Sequence, residues 1–186
     1  MPEYDFLFNS VIVSLLVGIA LSKIIESWGR IIQQKRSIKS SILFLLISSW
    51  LFSFFVAHWL GLWQYRELEV NSIIISYIIF FPSLLGALAT YILIPSISEN
   101  LDLEKFYFSM APRSYLFIGI FVISAGLTDL MIPENKQASL TVFLIMGGLL
   151  FILSMFRKRL LHLIVLSILW IASLLGLIFE YYKILI

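Results

Sequence analysis

The chain of 186 residues is 61% hydrophobic and 13% charged, where soluble domains run at roughly 45–50% and about 25%. Its mean hydropathy is +1.01, which excludes a water-soluble globule, and a net charge of +2 is too small to imply a nucleic-acid partner. The lack of cysteine excludes disulfides, thiolate metal sites, iron–sulfur clusters and S-palmitoylation.

A helix needs about 20 apolar residues to cross roughly 30 Å of hydrocarbon. Six segments meet or approach that length: Phe6–Ile25, Ser41–Leu62, Ile73–Ile94, Tyr115–Met131, Leu140–Phe156 and Leu160–Glu180. The expected fold is therefore all-α, one polytopic membrane domain of six helices over residues 1–186. The N-terminus is acidic and lacks the basic start of a signal peptide, so the first helix is expected to be retained. Lys23, Glu26, Arg30 and Gln34 follow it at helical spacing and predict that it runs past the membrane. Pro82 is expected to kink the third helix. Pro95 ends that helix, Pro112 precedes the fourth, and Pro133 marks the turn before the fifth. Loop 3–4, from Ser96 to Arg113, reads equally well as a short interfacial helix or a plain loop.

Ten of the thirteen basic residues fall in loops 1–2, 3–4 and 5–6. By the positive-inside rule these loops are cytoplasmic and both termini are extracytoplasmic. Arg157, Lys158 and Arg159 read as an anchor for anionic lipid headgroups.

Helix 1 places Ser10, Ser14, Gly18 and Ser22 at steps of four, and helix 2 does the same with Ser49, Ser53, Ala57 and Gly61. Residues four apart share one helix face. Two small-residue grooves result, expected to seat helix against helix. A serine-lined pore or lipid cleft is the alternative.

No midplane ionisable group appears, which argues against a coupled pump. No catalytic signature occurs, and no cofactor-binding or metal-ligating residue can be assigned. By elimination, a candidate polar site lies in the outer half, among His58, Trp59, Trp63, Asp129 and Glu180. The competing reading is that these are independent boundary residues.

The segments Val17-Gly18-Ile19-Ala20, Ser27-Trp28-Gly29-Arg30, Gln34-Lys35-Arg36, Trp50 to Trp63, Arg66-Glu67 and Ile92-Leu93-Ile94-Pro95 resemble the pattern of a group of bacterial six-helix hypothetical membrane proteins. The resemblance covers roughly residues 5 to 110. It implies a multi-pass protein of the bacterial cytoplasmic membrane and carries no activity. The leading functional expectation is an oligomerising effector or passive channel acting with a partner. The alternatives are a small-solute transporter, or an accessory subunit of a membrane enzyme acting on lipid or quinone.

Overall fold

Apolar runs of this length satisfy their own backbone polar groups only as helices, or as closed barrels. Among the described residues the computed structural model shows six helices: α1 (Pro2–Gln33), α2 (Ile42–Gly61), α3 (Ile73–Leu93), α4 (Leu103–Asp129), α5 (Ala138–Met155) and α6 (Arg159–Leu185). The structure describes the backbone of residues 2–34, 38–62, 73–96, 101–130 and 138–185, and the side chains of 7–34, 38–62, 76–96, 101–130 and 140–175. Four helices carry stretches long and apolar enough to cross a membrane, namely Leu7–Gln33, Ile42–Gly61, Ser76–Leu93 and Leu103–Asp129. The described apolar parts of the other two, Leu140–Met155 and Arg159–Leu175, are shorter. The chain has the build of an integral membrane protein.

α1 continues to Gln33, as the spacing of Lys23, Glu26 and Arg30 predicts. α4 differs from expectation. It starts at Leu103, not Tyr115, and runs through Pro112. Asp102 is the reason: its carboxylate accepts from the backbone N–H groups of Glu104 and Lys105, both at 3.1 Å. Two otherwise orphaned donors are thereby satisfied, and Glu104 sits in the first turn where an acid is favoured. One face of this early part is buried through Leu103, Tyr107, Ala111 and Ser114.

α3 lies between α1 and α4, α4 packs most closely on α5, and α2 crosses toward α1, α4 and α6. The tightest approaches are made at glycines. A Cβ at Gly126 would stand 2.5 Å from Phe143 Cβ, one at Gly147 2.5 Å from Ile123 Cγ1, and one at Gly86 2.8 Å from the Phe55 ring. Aromatic rings fill the centre. Phe121 of α4 stacks on Phe55 at 5.2 Å and meets the edge of Phe54, also at 5.2 Å.

One end of the bundle gathers the basic connections. Lys39 exchanges backbone hydrogen bonds with Leu101 and Leu103, each 3.1 Å, so the α1–α2 connection is bound to the start of α4. Ion pairs lie at the same end: Arg30–Glu26 at 2.9 Å, Lys39–Asp102 at 3.3 Å and Arg159–Glu104 at 3.5 Å. Arg157 and Lys158 are exposed there.

Candidate functional site

The structure sends the outer-half residues in different directions. His58 turns toward α3 and α4. Its Nε2 lies 2.9 Å from Ser83 Oγ, and its ring meets the edge of Phe121. Trp59, one position on, turns toward α1 and donates its indole N–H to Ser14 Oγ at 2.9 Å. Successive residues on a helix point about 100° apart, and these two face different helices. Asp129 is the last residue of α4 and is half-buried. Trp63 and the side chain of Glu180 lie outside the described residues.

The two small-residue stripes are placed as follows. α1 meets the bundle through Asn9, Val13, Val17, Ala20, Ile24 and Ser27, which are buried. In the stripe beside that face Ser14, Gly18 and Ser22 are exposed; Ser14 takes the bond from Trp59 of α2, and nothing lies within 4 Å of a Cβ built at Gly18. Ser10 bonds back to Leu7 O at 2.8 Å, and Ser49 to Leu45 O at 2.6 Å. On α2, Ala57 is exposed, Ser53 is half-buried, and Gly61 also faces open space.

Neighbouring serines and the tryptophans also hold the helices together. Trp28 of α1 donates to Ser48 of α2, and Trp50 of α2 donates to Ser173 of α6, both at 3.0 Å. Trp170 of α6 returns a bond to Leu46 O, at 3.0 Å. Asn9 of α1 donates to Ser76 of α3 at 3.2 Å.

A buried network at the basic end escaped the sequence reading. Tyr107, Tyr115 and His162 are each 0% exposed. His162 Nε2 lies 2.6 Å from Phe156 O, and a carbonyl only accepts, so Nε2 carries the proton. In the neutral ring Nδ1 then accepts from the Tyr107 hydroxyl at 2.6 Å. The Tyr107 oxygen in turn accepts from Tyr115, also at 2.6 Å. The chain runs in one direction, from α4 through α6 to the carbonyl just past α5. It pins three helices at one point.

A groove of about 580 Å³ opens at the same end between α1, α3 and α4. Lys23 and Arg113 stand at it. Lys23 Nζ is 3.5 Å from Ser96 Oγ and 5.7 Å from the centre of the Tyr91 ring. Phe106, Met110, Arg113 and Phe117 of α4 form one wall, at helical spacing on the face beside the buried one. This wall exists because α4 begins early.

Among the described residues no group of three or more His, Asp or Glu could hold a metal ion. No protein-family model matches the chain, no curated protein is significantly similar to it, and no solved structure matches it significantly.

Proposed function

We propose that the protein is a six-span membrane protein of the bacterial cytoplasmic membrane, with its basic end in the cytoplasm and both termini outside. It works as a packed effector or accessory subunit, self-associated or bound to a partner, not as a water-filled pore. One observation carries this reading. Polar side chains along the helices are engaged with neighbouring helices: Trp50 with Ser173, Trp28 with Ser48, His58 with Ser83, and Tyr107 with His162. Bonds of this kind hold helices together in lipid. A channel would need the same hydroxyls turned to water.

Two measurements test it. Vesicles containing the purified protein should release an entrapped small dye no faster than empty vesicles. Protein-dependent release would refute the closed interior. For orientation, Ser40→Cys and Gln64→Cys can each be placed in the cysteine-free chain. An impermeant thiol reagent applied outside should label Gln64→Cys and spare Ser40→Cys, and the reverse would overturn the topology.

A further inference from the structure

From the groove between α1, α3 and α4 we infer a binding site for an anionic phospholipid, with its phosphate between Lys23 and Arg113 and an acyl chain passing Phe117 into the bilayer. The volume, about 580 Å³, lies in the range of small-molecule sites, roughly 300–1,000 Å³. The argument then turns on charge. Three other cations at this end face a carboxylate: Arg30 faces Glu26, Lys39 faces Asp102, and Arg159 faces Glu104. The groove, by contrast, is lined by two cations and no carboxylate among the described residues. Among the described residues Lys23 meets a hydroxyl and the face of a tyrosine, neither of which neutralises it. Two like charges brought together from different helices stabilise the fold only when an anion lies between them.

Depth selects a lipid over a soluble anion. From Leu7 to Ser22, α1 carries no charge, and from Ser114 to Thr128 neither does α4. At 1.5 Å per residue these stretches span about 24 Å and about 22 Å, most of a hydrocarbon core of roughly 30 Å. Lys23 and Arg113 therefore lie at the same level, where phosphates begin. One turn from Arg113 toward the bilayer, Phe117 offers an apolar surface that a free phosphate would not use, while Phe106 and Met110 flank the headgroup on the other side. This site is separate from the exposed run Arg157-Lys158-Arg159, which any anionic surface attracts.

Native mass spectrometry of the purified full chain in detergent tests the assignment, with phosphatidylglycerol, phosphatidylcholine or inorganic phosphate added in turn. Phosphatidylglycerol should be retained, and phosphatidylcholine and phosphate should not. A basic residue near an anionic lipid surface contributes roughly fivefold in affinity. The double variant Lys23→Gln/Arg113→Gln should thus bind phosphatidylglycerol about thirtyfold more weakly. Its melting temperature without lipid, matched to the parent, shows that it is folded. Equal retention of the two lipids overturns the proposal. So does unchanged binding by the Lys23/Arg113 variant, or protection by inorganic phosphate equal to that of phosphatidylglycerol.

Discussion

Replacing Gly126 by alanine adds one methyl group at the closest approach between α4 and α5. The new Cβ would lie 2.5 Å from Phe143 Cβ, 2.7 Å from Cγ and 2.9 Å from Cδ2. Carbon atoms settle at about 3.5–4.0 Å, so the two helices must part by about 1 Å. The Phe143 atom that is met sits next to the backbone, and no rotation of the ring removes the clash. Two helical turns away the same pair is also close, since a Cβ at Gly119 would stand 3.0 Å from Phe151 Cε1 and 3.3 Å from Gly147 O. Parting the helices loosens those contacts too, and a gap of about 0.5–1 Å forfeits a quarter to a half of each. Overpacking costs about 1–3 kcal/mol, and alanine recovers up to about 1 kcal/mol of helix propensity; with the clash at the upper end, where the Cβ contact puts it, the net loss is about 2 kcal/mol. Gly18→Ala is the control. It meets nothing within 4 Å and should be neutral or mildly stabilising. Thermal unfolding in detergent, followed by circular dichroism, should move the two variants apart. The packing argument is refuted if Gly126→Ala melts at or above the parent temperature.

Tyr107→Phe should cost about 1–3 kcal/mol more than Tyr115→Phe, because it strands both the Tyr115 hydroxyl and His162 Nδ1, whereas loss of Tyr115 leaves the Tyr107–His162 bond intact. Equal melting temperatures for the two variants would contradict the direction assigned to the chain. Asp102 gives a pH dependence. Its carboxyl is held below the ordinary value, first by the backbone N–H of Lys105 and further by Lys39. A lowered folded-state value stabilises above the unfolded pKa of about 4, and that share is lost as pH falls through the folded value. The parent's melting temperature should drop on acidification below about pH 4, and Asp102→Asn should flatten that drop. An identical acid profile in the two proteins would remove Asp102 from the account.

How far each element could be read from sequence follows from the range of the forces involved. Helices are set by runs of apolar residues, and the overrun of α1 is set by Lys23, Glu26 and Arg30 within it, all local. The start of α4 was just as local but masked. Pro112 looks like a helix stop, while the N-cap at Asp102 with Glu104 behind it reads as a charged loop. The small-residue stripe of α1 illustrates a different limit. Spacing gives the face that residues share and says nothing about which neighbour meets it. The close glycine contacts fall instead at Gly119, Gly126 and Gly147, in a register seven apart on α4 that a search at steps of four passes over. His162 and Tyr107 are 55 residues apart, and only the packing of α6 on α4 makes them partners. The groove was invisible for the same reason, since Lys23 and Arg113 converge only when α1, α3 and α4 are assembled.

Pro82 sits inside α3 and has no N–H to give the carbonyl four residues back, that of Ile78. In the folded bundle Thr128 Oγ1 of α4 reaches that oxygen with a long bond of 3.5 Å, while also bonding Ser124 O at 2.8 Å. A lone α3 leaving the insertion machinery would carry a bare carbonyl into hydrocarbon, at a cost of several kcal/mol. The helix that covers it is the next one made. Pairing with α4 lowers that cost, so hydrocarbon favours the two helices as a hairpin over α3 alone.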